Sequence, residues 1–352
     1  MKLFKSLLVA PATLGLLAPL SATANEVTIN DFNAAEEIAV TNSRVDGIEA
    51  RLNNFEAGGF SETTTASFSV DAVIGAIDGD TTTEATVFEY QYNIGLSTSF
   101  TGEDSLDVAI DSGSDKAVTG DNPMAFDTGA SLSVDGVTYS FPVGGVSMVV
   151  GNDTDISASF TGACSYSAFT DYMGDCGTGN TIGKGGNGVT ATGSYAFDSG
   201  FSLAAGLSSM TDKTGILTKE GSDSYGIEAA YTADSFGVSV AYSDSEGTTG
   251  WGINGMYAFD AVTISAGVES VDSGTTAEGF FVGLSFPEVG AGTFDIGLAT
   301  SANYSSAETE YYTYEASYSY PINDGVTITP GVFIKEGTTD TTGFAVKTSF
   351  SF

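Results

Sequence analysis

The 352-residue chain contains no histidine. The commonest general acid–base group and metal ligand is therefore missing. A Ser-His-Asp triad, a Cys-His dyad and an H-E-x-x-H zinc site are all excluded. Basic charge is scarce: ten Lys and Arg stand against 45 Asp and Glu, a formal charge of −35. Such a chain has no electrostatic footprint for nucleic acid. Long apolar runs are missing beyond the N-terminus. No later segment holds 18 consecutive apolar residues, so no membrane-crossing helix is expected. A hydrophobic fraction of 41% and an aromatic fraction of 11% still exclude a disordered acidic polymer. The length suits one large β domain or two ordinary ones.

The N-terminus reads as a secretory leader over residues 1–24. Lys2 and Lys5 form its positive start, Leu7–Leu20 its apolar stretch and Ala22-Thr23-Ala24 its cleavage site. A membrane anchor is disfavoured because the run is short and holds Pro11 and Pro19. Residues 25–59 read as a short linker and a helical stem. Over 36–56, Ile38, Thr41, Val45, Ile48, Leu52 and Phe55 alternate in threes and fours, a heptad seam. Three heptads are too few for an isolated coil. The segment is either an oligomerising stem or a single amphipathic helix that plugs a β domain. Gly58-Gly59 ends it.

From Ser61 the period changes to two. Phe88, Tyr90, Tyr92, Ile94 and Leu96 alternate with Glu89, Gln91, Asn93, Gly95 and Ser97. Tyr225, Ile227, Ala229 and Tyr231 do the same, as do Val262–Glu269, Phe294–Leu298 and Tyr312–Tyr320. About sixteen such segments run from 62–76 to 341–352, an even count that suits a closed antiparallel barrel over 60–352. Short turns such as Phe197-Asp198-Ser199-Gly200 and Asn323-Asp324-Gly325 alternate with acidic, Gly/Ser/Thr-rich loops such as 211–221, 243–249 and 301–309. Tyr195, Phe197, Tyr231, Tyr257, Phe259, Phe286, Tyr318 and Tyr320 lie near strand ends, where interfacial aromatics sit. A soluble β-sandwich or β-helix is the competing fold. Its core would have to come from the face of small polar residues and glycine, or its outside would be wholly Ser, Thr, Gly and acid. The alternating last segment ends in Phe352, which resembles the signal read by the outer-membrane assembly machinery. The expected fold class is all-β, a transmembrane antiparallel β-barrel with a short N-terminal coiled-coil-like helix.

These features together resemble the cyanobacterial outer-membrane porins, akin to the carbohydrate-selective porin superfamily. The stem Val45–Ala57 running into Phe60-Ser61-Glu62-Thr63-Thr64 is similar to that family's coiled linker and barrel start. Thr98–Leu106 resembles one family signature, and Tyr139–Gly144 followed by Val149-Val150-Gly151 resembles another. Ile328–Val332 and the last strand resemble the family's C-terminus. Residues 152–320 match only as a general barrel pattern. The S-layer-homology domain typical of the family is not expected between the cleavage site and the stem. The resemblance implies a passive channel, usually a homotrimer in the outer membrane, in contact with lipid and lipopolysaccharide. It implies no cofactor.

In such a barrel, residues alternating with lipid-facing ones point into the lumen. That rule selects Asp71, Glu89, Asp107, Glu228, Glu269, Asp295 and Glu315, with Lys347 and Lys335 as the basic counterparts. From residue 60 onward there are 38 acids, six lysines and no arginine, so a pore that favours cations is expected. Loop or rim placement of single acids is the bland alternative. Cys164 and Cys176, an even pair in an exported chain, read as a disulfide closing a loop. That loop either staples a constriction or only stabilises, and its spacing is not that of a C-x-x-C redox pair. The run Gly174–Gly188 has seven glycines but no strand–helix context for phosphate binding. Asp153 and Asp155 are a weak Ca²⁺ signal beside ordinary turn chemistry. Tyr311, Tyr312 and Tyr314 form either a sugar-stacking track or an interfacial patch. A sugar-selective channel and a structural or adhesive surface protein are the competing functions. An enzyme is not expected without a histidine base.

Overall fold

In the computed structural model the described residues are 64–352, apart from 80–84, 115–122, 125, 127–128, 153, 179–187, 211–215, 220, 302–304 and 306–307. The chain divides into two units, Met1–Phe60 and Ser61–Phe352, and every described residue belongs to the second. The leader and the stem seam lie outside the described residues.

Sixteen strands follow in order. They are β1 (Thr64–Asp78), β2 (Ala85–Thr98), β3 (Ser105–Gly113), β4 (Ser133–Val143), β5 (Val146–Asn152) and β6 (Val189–Ala196). Next come β7 (Phe201–Ser209), β8 (Asp223–Thr232), β9 (Phe236–Ser245), β10 (Thr248–Ala258) and β11 (Thr263–Asp272). The last are β12 (Thr276–Val289), β13 (Gly292–Thr300), β14 (Tyr312–Asn323), β15 (Val326–Lys335) and β16 (Thr341–Ser351). Each pairs with its neighbours in sequence, and β1 closes on β16 to make a closed barrel. The antiparallel seam runs from Ser69 opposite Ser351 to Asp78 opposite Thr342. Phe68 and Phe352 extend it by exchanging two backbone hydrogen bonds, and their rings stack 6.0 Å apart.

The wall has two unlike faces. Ile227, Val240, Ile253, Val268, Val282, Ile296 and Val332 point outward and are exposed. Their sequence neighbours Glu228, Ser239, Asn254, Gly267, Phe281, Asp295 and Phe333 are buried on the inner face. Ile227 exposes 57% of its surface. A soluble protein does not leave a continuous apolar band bare, whereas a membrane barrel requires one. Closure is required for the same reason, because an open ladder edge in hydrocarbon costs several kcal/mol per unpaired group.

Connections after even-numbered strands are short, for example 144–145 and 290–291. Those after odd-numbered strands include the long ones, 114–132, 153–188, 210–222 and 301–311. The expected loop at 243–249 is instead a tight hairpin. Glu246 and Gly247 both have positive φ, 39° and 96°, which suits the twist of a two-residue β-turn. Polar composition concealed two strand ends there, since Ser243 and Ser245 hydrogen-bond or pack on the inner wall instead of meeting bulk water. Aromatic rings gather at both ends of the outward band. At the short-turn end Tyr195 meets Phe197, Phe201 meets Tyr231, and Tyr257 meets Phe259, with centroids 4.6 to 4.7 Å apart. At the loop end stand Tyr312 and Tyr314, for which an interfacial patch was one of the expected readings, together with Phe88, Tyr90, Tyr225, Tyr242, Trp251 and Phe280, which the sequence reading did not place in a second ring. Six residues separate the two rings on β8 (Tyr225, Tyr231), β9 (Phe236, Tyr242), β10 (Trp251, Tyr257) and β14 (Tyr314, Tyr320).

The turn between β2 and β3 is built on one carboxylate. Asp104 accepts hydrogen bonds from the Tyr139 hydroxyl (2.6 Å), the Phe100 and Thr101 amides (2.9 and 2.7 Å) and the Ser99 and Thr101 hydroxyls (2.9 and 2.8 Å). Two stretches far apart in sequence, 98–106 and 139–144, thus meet at one side chain. Donation by Tyr139, joined by the turn's own donors, holds the Asp104 carboxyl below the usual carboxylate range.

Two outcomes are expected. Ile227→Arg should destabilise the barrel by about 2–4 kcal/mol, the cost of a cation on the lipid face near mid-membrane, read by urea unfolding in lipid vesicles. The Asp104 contribution is complete above the ordinary carboxylate pKa of about 3.9 and is lost as pH falls through its lower folded value. Amide exchange at Phe100 and Thr101 should therefore stay slow at pH 4–5 and rise only in stronger acid. In Asp104→Asn it should be fast at every pH.

Candidate constriction of the lumen

The connection from β5 to β6 folds into the barrel, and residues 154–178 are described. It opens with a 3-10 turn, Ile156–Ser159, capped by Asp155, whose carboxylate accepts the Ser157 amide at 2.7 Å. The Asp155 of the weak Ca²⁺ signal thus serves a cap; Asp153 lies outside the described residues. Among the described residues no group of three or more His, Cys, Asp or Glu side chains could hold a metal ion. A second 3-10 turn, Asp171–Gly177, packs on β11, β12 and β13.

The inner segment follows the wall around the bore. Ile156 lies against Gly206 on β7 and Gly226 on β8, and Ala163 against Gly237 on β9. The Cys176 carbonyl lies on Gly267 of β11. Tyr166 covers Gly283 on β12 and Gly297 on β13, while the Phe169 ring covers Gly331 on β15. At Gly206 and Gly267 a Cβ would collide with the segment's backbone, which side-chain rotation cannot relieve. Glycine on the inner wall is therefore a bed for this segment.

Two apolar clusters complete the bed. Phe169 packs with Val73, Ile77, Phe333 and Ala345, joined by Met124, Phe126 and Tyr172. Met173 and Cys176 pack with Phe281 and Ala299, joined by Cys164, Tyr166 and Ala168. Large inward side chains such as Phe281 and Phe333 depart from the small, polar inner face read from the sequence. The missed signal was a break in alternation: Val332-Phe333-Ile334, Phe280-Phe281-Val282 and Val73-Ile74 are apolar on both faces. Strands covered on both sides lose the polar half of the alternation. Lys335 Nζ lies 4.2 Å above the Tyr172 ring and ties β15 to the same segment.

Polar contacts fix the segment at intervals. Glu228 on β8 accepts the Thr161 and Gly162 amides at 2.6 and 2.8 Å. Asn254 on β10 accepts the Ala163 amide at 2.9 Å and donates to Thr178 at 3.1 Å. Glu315 on β14 accepts the Phe169 and Thr170 amides at 2.8 and 2.9 Å, and the Tyr166 and Thr170 hydroxyls at 3.0 and 2.6 Å. Burial, reinforced by the adjacent Glu315 charge and hydrogen bond, pushes the Tyr166 phenol above its ordinary pKa and keeps it a donor. Cys164 and Cys176 form a disulfide with Cα atoms 6.1 Å apart, and it encloses the donors to Glu315. Thr161, Ser165, Ser167 and Asp171 of the segment are exposed, and the Thr161 and Ser165 hydroxyls also lie 3.5 and 3.3 Å from those of Ser202 and Ser265 on the wall.

The inner-face acids thus divide by environment. Glu228 and Glu315 are covered by the segment, and Asp295 and Glu269 are buried beside it on β13 and β11. Glu89 on β2 is also buried. Asp71 and Asp107 are half-exposed on β1 and β3; Asp71 accepts from Ser349 and Asp107 from Ser105. Lys347, opposite Val73 across the seam, is half-exposed. Asp111, four residues beyond Asp107 and on the same face, is buried and accepts from Ser133 at 3.2 Å. Its parity with Asp107 made it readable from the sequence. Tyr312 and Tyr314 flank the fully buried Thr313 on β14 and lie on the outward face.

A closed sixteen-stranded wall, apolar outside and partly filled by one of its own connections, defines a membrane-spanning β-barrel channel. Residues 144–342, more than half the chain, match the Gram-negative porin family, and the chain belongs to that family. It is an outer-membrane protein of the porin type. Pseudomonas putida OprB superposes with a TM-score of 0.68 over 84% of this chain and 97% of its own, at 11% identity. A variant of the Rh. blastica porin gives 0.55 over 82% of this chain and 100% of its own, at 17% identity. At these identities the likeness is one of fold. An uncharacterized protein of Nostoc sp. is 24% identical over 92% of this chain and 70% of its own length.

Removing the Phe169 ring should unseat the segment. Phe169→Ala is expected to cost about 3–5 kcal/mol of local stability. Limited proteolysis of the folded barrel should then cut within 154–178 at sites protected in the parent.

Proposed function

We propose that this porin gives passive, cation-favouring diffusion of ions and small hydrophilic solutes through a water-filled, acidic lumen. The carrying observation is the charge balance of the chain from residue 60 onward, strands and loops together. From residue 60 there are 38 acids, six lysines and no arginine. The half-exposed Asp71 and Asp107 on the inner wall, with the exposed Asp171 on the segment, put carboxylates within reach of the aqueous bore. Fixed negative charge in a narrow aqueous path raises local cation concentration and repels anions. The segment's exposed edge of Thr161, Ser165 and Ser167 offers hydroxyls to neutral solutes without a charge of its own.

A carbohydrate-selective channel is the second reading, favoured by that hydroxyl edge. Against it, the rings of Tyr166 and Phe169 are turned to the wall and offer no stacking face to a sugar. A homotrimer, an exported leader over 1–24, contacts with lipopolysaccharide and recognition of Phe352 by the assembly machinery belong to the same proposal. So does membership among the cyanobacterial porins, which the Nostoc sp. relative supports.

Reversal potentials of the purified protein across a KCl gradient test the charge reading. The expected result is cation preference that is reduced in an Asp71→Asn, Asp107→Asn double variant. It should also shrink toward 1 M salt, where the Debye length falls to about 3 Å. A measured anion preference would reject the proposal.

A further inference from the structure

Two of the inner-face acids are surrounded by donors rather than by water. Glu315 sits at mid-strand on β14, opposite Gly297 on β13 and Phe333 on β15, and only 3% of its surface is exposed. Each of its oxygens accepts two hydrogen bonds from the inner segment: Phe169 and Tyr166 on one, both Thr170 donors on the other. Glu228, likewise 3% exposed, gives one oxygen to the Thr161 amide and the other to the Gly162 amide. Both carboxylates hold two consecutive backbone amides. A buried carboxylate is tolerated only with such donors, and amides turned to the wall at these places have no other acceptor described.

We infer that Glu315 and Glu228 are positioning residues that latch the inner segment flat against the wall and so fix the aperture of the channel, rather than charges that select ions. Selection and aperture are then separated in space. Asp71 and Asp107 lie half-exposed on β1 and β3, whereas the latches lie on β8 and β14 with only 3% of their surface exposed. The Cys164–Cys176 disulfide belongs with the aperture. It closes the ring that presents Tyr166, Phe169 and Thr170 to Glu315, and this makes Glu315 the stronger latch, with four donors against two. The effect on conduction rests on the channel reading; the latching itself does not.

The test uses length against charge. Glu315→Asp keeps the charge and loses about one C–C bond of reach, whereas Glu315→Gln keeps the reach and loses the charge. Hydrogen–deuterium exchange of the full-length protein in micelles should show faster exchange over 156–178 in both variants. About tenfold is expected for each hydrogen bond of roughly 1.4 kcal/mol that is lost. In planar bilayers both should replace one steady conductance level by flickering between several, as the released segment moves in the bore. Heat-modifiable mobility on gels verifies that the barrel is closed. If either Glu315 variant fails to fold, Glu228→Asp and Glu228→Gln, which remove the two-donor latch, answer the same question. Parent-like exchange in the Asp variant would overturn the inference, because charge alone would then suffice. A parent protein that exchanges as described but never conducts would reject the channel reading and leave the latch standing.

Discussion

The closure of β1 on β16 is the constraint from which the rest follows. Within hydrocarbon every backbone donor and acceptor must find a partner in the ladder, so the sheet can have no edge. Closure in turn forces each strand to present one face outward and one inward. The outward face must be apolar, which accounts for Ile227, Val240, Ile253 and Val268 standing bare. The inward face is released from that demand and becomes available for glycine, hydroxyls and acids. A bulge at Pro321 shows how strict the ladder is: the residue without an amide proton sits where the pairing with β15 already shifts.

A hollow this size cannot be filled by the inward side chains of small residues alone, and the chain fills part of it with its own connection. Seating that segment needed three kinds of inward residue together. Glycines let backbone approach backbone, large apolar side chains give the segment a small core, and carboxylates receive its amides. The three kinds lie on neighbouring strands, so the segment is held along its length instead of at one point. β2 and β3, which have no residue in either apolar cluster, keep a more polar and more exposed inner face with Gln91, Asn93, Ser97 and Asp107.

Much of the barrel was legible in the sequence because a two-sided wall writes its geometry as alternation. Sixteen segments were read, and sixteen strands stand within a few residues of the expected places. The hairpin at Glu246-Gly247 was misread because Ser, Asp and Thr mean loop in water but also mean lumen in a barrel. Alternation predicted which side of the wall Glu228 and Glu315 occupy; it carries no information on what covers them. That depends on contacts between residues more than sixty positions apart, such as Thr161 with Glu228. The doubled apolar residues at Val73-Ile74 and Val332-Phe333-Ile334 were the trace such covering leaves in a sequence.

The six-residue interval between the aromatic rings has a consequence for the surrounding lipid. Six residues of strand span about 20 Å, and a tilt of about 40° reduces this further along the membrane normal. A closed ladder cannot stretch, so any difference between that span and the thickness of the bilayer is taken up by the lipid. The barrel is dimensioned for a thin membrane, and in a thicker one the adjoining acyl chains would have to compress around it. Its residence in one membrane of the cell instead of another is thus partly a matter of hydrophobic mismatch, written in the spacing of Tyr225 from Tyr231 and Trp251 from Tyr257.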